Sequence, residues 1–92
     1  MEYIFHTDPG HGWLEVTRAE LIRLGILENI SAYSYEKGDK VYLEEDCDAS
    51  RFVAAKKALG ESFAFIDRYL ENTPIRNYPH FSVCLYETTI GA

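Results

Sequence analysis

The chain has 92 residues, with 15 acidic and 9 basic side chains and a formal net charge of −6. That length makes a single domain, residues 1–92, with a small core. The charge argues against direct nucleic acid binding, which needs a positive surface, and no apolar run approaches the roughly 18 residues of a membrane span.

Residues 1–50 carry 11 acids and 4 bases, whereas residues 51–92 carry 4 and 5, so the negative charge belongs to the first half. Such asymmetry suits a basic partner. Trp13, five Phe and seven Tyr supply large buried areas to a small core, and surplus Tyr can mark a contact face. The two cysteines, Cys47 and Cys84, form neither a CxxC motif nor a disulfide framework, which fits a reducing compartment. Met1-Glu2-Tyr3-Ile4 lacks the basic region and apolar run of a secretory signal, so a cytoplasmic protein is expected.

Glu2–Thr7 is rich in β-formers and predicts a first strand. Asp8-Pro9-Gly10-His11-Gly12 is turn chemistry, and Trp13–Val16 completes a hairpin. Thr17 and Glu20 are spaced as a capping box for a short helix over 18–24, with Gly25 as its stop. A further helical turn is expected at 27–30. Residues 32–36 and 40–44 alternate around Lys37-Gly38-Asp39 and predict a second hairpin, with Tyr33, Tyr35, Val41 and Leu43 on one face.

Asp48 is placed to N-cap a second helix over 49–59, which Gly60 ends. Phe52, Ala55 and Leu59, with Val53 beside them, form its expected apolar stripe. Residues 62–67 alternate like a strand, although the run to Leu70 also fits a helix; the strand is preferred because Gly60 has just closed a helix. Asn72-Thr73-Pro74 breaks the element, and a last strand is expected near 81–86. The sum is an α+β fold: an antiparallel sheet of four or five strands with one or two helices packed on one face.

The densest chemistry is Glu44-Glu45-Asp46-Cys47-Asp48. Its spacing is not that of a calcium loop. It reads either as an anionic patch at a helix N-terminus or as a surface for a basic partner. In the second reading Glu36, Asp39, Glu44, Glu45, Asp46 and Asp48 form an acidic side, with Tyr33, Tyr35 and Tyr42 as anchors. A thiolate at Cys47 is disfavoured by the surrounding carboxylates. His6, Asp8 and His11 are metal-ligand types in one short loop, and a small metal-dependent hydrolase or nuclease built on them is the alternative reading. No phosphate-binding glycine loop and no nucleophile elbow occurs, so no catalytic residue and no cofactor is expected. Arg76 with Tyr78 and Tyr86 gives only a weak base-stacking signal.

Asp8-Pro9-Gly10-His11-Gly12-Trp13, Ile30 to Tyr35, Tyr42 to Asp48 and Ile75 to Tyr78 together resemble a group of small proteins encoded by bacteriophages, prophages and plasmids. The resemblance spans about residues 3–78 and brings no catalytic assignment. It implies a mobile-element origin and action in the cytoplasm of a bacterial host. The resemblance brings an association with anti-CRISPR and antirestriction proteins, some of which mimic nucleic acid; a monomer or homodimer is expected. Such a protein would inhibit a host defence protein or ribonucleoprotein complex by occupying a basic nucleic-acid-binding groove.

Overall fold

The computed structural model describes residues 1–83. In chain order it contains β1 (Glu2–Thr7), β2 (Gly12–Thr17), α1 (Arg18–Arg23), a 3-10 turn (Leu27–Asn29), β3 (Tyr35–Lys37) and β4 (Lys40–Glu44). There follow α2 (Asp48–Ala58), β5 (Ala64–Tyr69) and a second 3-10 turn (Pro74–Asn77). The fold is α+β, an open five-stranded sheet in the order β3-β4-β2-β1-β5. No helix among the described residues is long and apolar enough to cross a membrane.

Both predicted hairpins form. β1 and β2 pair antiparallel with Phe5 opposite Leu14, and β3 and β4 pair antiparallel with Tyr35 opposite Tyr42. Gly12 is buried at the start of β2, where an added Cβ would stand 2.9 Å from the Phe5 ring. Close approach, rather than a left-handed backbone, is what that glycine provides. β5 is a strand, as preferred, but it runs parallel to β1, with Tyr3 opposite Phe65. The sheet is therefore mixed instead of purely antiparallel. The reason is the α2 connection: β4 runs in the direction of β1, and a helix crossing back over the sheet delivers the next strand parallel.

The helix caps follow the sequence in part. Thr17 Oγ1 accepts from Glu20 N–H at 3.1 Å, and Gly25 takes φ 73° just past α1. Gly60 takes φ 70° after α2. Asp48, however, is the first residue of α2 and not its cap; Cys47 occupies that place without a side-chain hydrogen bond. The expected apolar stripe of α2 is also displaced. Ala49, Phe52 and Lys56 turn inward, whereas Leu59 is 58% exposed.

The main core lies between the sheet and the two helices: Tyr3, Leu14, Val16, Val41 and Leu43 from the strands meet Leu21 of α1 and Phe52 of α2. Burying a side chain such as Leu14 or Phe52 contributes about 1.5–3 kcal/mol each. Tyr3 and Phe52 meet edge to face at 5.0 Å. A smaller cluster on the opposite face joins Trp13 and Tyr42 to Ile75, with Tyr35 and Tyr78 against it. Tyr35 thus shares a face with Tyr42, and not with Val41 and Leu43 as expected. Pairing Lys37 with Lys40 across the turn fixes that register, because a one-residue change flips every side chain.

After the second 3-10 turn the chain wraps around the β3 edge. Glu36 N–H donates to Pro79 O at 2.9 Å, and Phe81 N–H donates to Ser34 O at 2.8 Å. Residues 80–83 include one bridge, between His80 and Tyr35, but no strand. The rest of the strand expected near 81–86 lies outside the described residues.

Candidate functional site

β2 alternates, so Leu14 and Val16 enter the main core while Trp13 points to the opposite face. There Trp13 forms one wall of a cavity of about 420 Å³. The other walls are Tyr33, Tyr35, His80, His11, Glu44, Asp46, Cys47 and Arg76. Four stretches of chain converge here: the end of the β1–β2 loop with the start of β2, the approach to and start of β3, the end of β4 with the turn after it, and the second 3-10 turn with the segment after it.

The aromatic side is built from rings in mutual contact. Tyr35 lies 4.8 Å from the His80 ring in a stacked arrangement and 6.3 Å edge-on from Trp13. His80 Nδ1 is 2.7 Å from Ala32 O, which fixes the imidazole. Tyr33 is 73% exposed, a projecting ring at the rim. On the acidic side, Glu44 is held by Ser34: its N–H donates to Ser34 Oγ at 3.0 Å. Its carboxylate accepts from Asp46 N–H at 3.0 Å, a short turn that presents Asp46 to solvent.

Arg76 supplies the only guanidinium among the cavity residues. It lies 5.3 Å over the Trp13 ring. It also grips Asp8 with two nitrogens, Nε on Oδ2 at 2.5 Å and Nη2 on Oδ1 at 3.0 Å. That hydrogen bond is the main reason the Asp8 carboxyl is held well below the usual carboxylate range; burial opposes it, and the N–H groups of His11 and Gly10 assist. Asp8 is therefore a structural anion that folds the loop and anchors Arg76.

Four of the expected contact residues gather at this cavity: Tyr33, Tyr35, Glu44 and Asp46. The others do not. Glu45 points to the helix side, beside Phe5 and α2. Asp39 is exposed at the β3–β4 turn, at the opposite end of β4. Tyr42 is buried against Tyr78, and burial, with Glu15 nearby, pushes its hydroxyl up to about 12. Glu36 is buried beside Arg18. Asp48 is fully buried, accepting from Ser31 N–H at 3.0 Å, Ser31 Oγ at 2.7 Å and Ser34 Oγ at 2.5 Å. The single acidic side expected from the sequence is thus divided, because neighbours in a strand and turn point in different directions.

The metal reading fares no better. His6 Nε2 is 2.8 Å from Glu15 Oε1, Asp8 is engaged by Arg76, and His11 packs beside Trp13. Among the described residues no group of three or more His, Cys, Asp or Glu is placed to hold a metal ion.

Trp13, Arg76 and His80 were not expected at the site. The alternation of β2 was enough to place Trp13 opposite Leu14; the arrival of Arg76 and His80 depends on the chain's return around β3, which local sequence does not encode. No family model, curated protein or solved structure matches the chain.

Proposed function

We propose that this chain is a non-enzymatic interaction protein that engages a basic partner by receiving a lysine or arginine side chain in the Trp13–Tyr35–Glu44 cavity. The observation that carries this reading is the composition of the walls. Rings of Tyr33, Tyr35 and Trp13 face the same space as the carboxylates of Glu44 and Asp46. A cation over an aromatic face gains about 0.5–2 kcal/mol, and a carboxylate within reach adds a charge-assisted hydrogen bond. The cavity already holds one example of this chemistry, since Arg76 covers Trp13. The net charge of −6 supports attraction of a positive partner from a distance.

The partner we name is a host defence protein or complex with a basic nucleic-acid-binding surface, on the strength of the resemblance to mobile-element proteins. The contact is a localised anchor rather than a strip of carboxylates copying a phosphate backbone, because Glu36 and Asp48 are buried and Glu45 and Asp39 point elsewhere.

Trp13 is the chain's single tryptophan, so its fluorescence reports on the cavity. Titration with an arginine-rich peptide should change that fluorescence, with affinity falling as salt rises. The pair Glu44→Gln and Asp46→Asn should weaken binding about tenfold or more. Absence of binding at low salt, or binding indifferent to both substitutions, would reject the proposal. The same variants in a pull-down from host lysate then identify the natural partner.

A further inference from the structure

The β5 edge lies at the opposite side of the sheet from β3 and the cavity. β5 is exposed along its whole length. Ala64 N–H donates to Met1 O at 3.0 Å, and Leu70 N–H donates to Thr7 O at 2.9 Å. Alternate residues of a parallel ladder bond to the same side. Even-numbered residues therefore turn their backbone groups toward β1, while Phe65, Asp67 and Tyr69 turn theirs outward. Among the described residues no strand pairs with that outer side.

The edge is also apolar on both faces. Phe65 is 42% exposed and Ile66 46%, with Tyr69 and Leu70 more so. Phe65 stacks on Phe5 at 6.0 Å. Above them, between α2 and β5, runs a groove of about 530 Å³ whose apolar lining includes Val53 and Ala54 and whose charged residues are Glu45 and Lys57. A long apolar edge with free backbone groups is a template for another strand.

We infer that the occupant is a second copy of this chain, its β5 pairing antiparallel with this one about a two-fold axis through Ile66. Charge removes two of the central registers of self-pairing. Centred on Asp67 or on Arg68, the rotation sets like charges directly opposite, which is destabilising. Centred on Ile66, it sets Ile66 against its own copy, Phe65 against the partner's Asp67, and Phe63 against the partner's Tyr69. In this register Phe65 and Asp67, whose backbone groups point outward, exchange the hydrogen bonds. Ile66 falls at the non-hydrogen-bonded position, where opposed Cα atoms are about 4.5 Å apart and side chains meet most closely.

Charge supports the same rotation. Glu45 lies in the turn just before α2, with its carboxylate 3.0 Å from where a Cβ on Gly12 would stand, and Lys57 lies near the C-terminal end of the helix. The two-fold turns α2 end for end, so Glu45 of one copy comes to the end that carries the partner's Lys57. The two sheets become one, and both apolar edges are covered at once.

The 92-residue chain should sediment as a dimer that dissociates on dilution. Ile66→Lys sets two ammonium groups against each other at the axis and should weaken the dimer about tenfold or more. In a background with Cys47→Ser and Cys84→Ser, Ile66→Cys should form a disulfide-linked dimer on mild oxidation, since the Cα separation of about 4.5 Å suits a disulfide. Arg68→Cys, displaced from the axis, should not. A monomer at every concentration overturns the inference. So does a dimer that tolerates Ile66→Lys, or one that cross-links through Arg68→Cys and not through Ile66→Cys. If Ile66→Lys fails to fold, the cross-linking pattern alone decides.

Discussion

Arg76 reaches across 68 positions of sequence to hold Asp8 through two nitrogens, and the same guanidinium covers the indole of Trp13. One side chain therefore fixes the β1–β2 loop, roofs the aromatic cluster and shapes the cavity. Arg76→Ala should lower the thermal midpoint by a few degrees and shift Trp13 emission toward that of a wetter indole. Asp8→Asn should produce a smaller shift of emission, because the guanidinium loses its anchor but remains near the ring. Thermal melts and fluorescence of the two single variants and the double variant check the coupling; independent effects would separate the ion pair from the indole.

Arg18 and Glu36 form a second pair, this one buried. Arg18 Nη1 is 3.4 Å from Glu36 Oε1, both residues are 5% exposed, and Arg18 Nη2 donates to Ser82 O and Val83 O at 2.9 and 3.0 Å. The ring of Phe81 lies 5.1 Å beneath the guanidinium. Removing one member leaves the other charge buried. Glu36→Ala or Arg18→Ala should each cost about 3–5 kcal/mol in denaturant unfolding. Replacing both with apolar residues of similar volume should recover much of that loss.

Asp48 sits in the acidic run but behaves as a core acceptor. Three hydrogen bonds from Ser31 and Ser34 converge on one fully buried carboxylate, with Arg51 Nε 3.8 Å away. Asp48→Ala strands those donors and should cost about 3 kcal/mol, measured by urea unfolding. Glu45→Ala, three residues earlier and exposed, should be nearly neutral for stability.

A further ion network ties β1, α1 and α2 together. Arg23 binds Glu20 and Glu61, and Lys56 reaches Glu61 at 2.8 Å. Tyr3 donates its hydroxyl to Glu20 at 2.8 Å. Hydrogen bonding to Arg23, foremost in each case, holds both carboxyls near 2, down from 4.5. Folded carboxyls thus bind protons less readily than unfolded ones. Their stabilisation is present above 4.5 and fades as pH falls toward 2, so the thermal midpoint should drop over that interval. Arg23→Gln should flatten the acid limb; an unchanged slope would assign acid lability to other groups.

Much of the frame was legible from local signals. Turn residues at 8–12 and 37–39 bounded the hairpins, Thr17 marked the start of α1, and glycines marked both helix ends. What escaped were long-range pairings. Nothing in the local sequence marks Lys56 as buried, yet it is 2% exposed because Glu20, Glu61 and the Tyr3 ring neutralise and cover it. β5 was readable as a strand, but its parallel partner was not, since period-2 alternation is the same in either direction. The cavity was half legible: Tyr33, Tyr35, Glu44 and Asp46 were expected at a contact surface, whereas Arg76 and His80 reach it only because the chain doubles back.

That doubling back has a consequence for synthesis on the ribosome. Arg18 emerges early, but the carbonyls of Ser82 and Val83 that accept from its guanidinium are translated 64 and 65 positions later. Until then a nascent chain has both β hairpins available and an unsheltered guanidinium beside β3. Closure of the β3 edge over Arg18 therefore waits on residues 79–83, and a stalled or prematurely terminated chain would present that raw margin to chaperones and proteases.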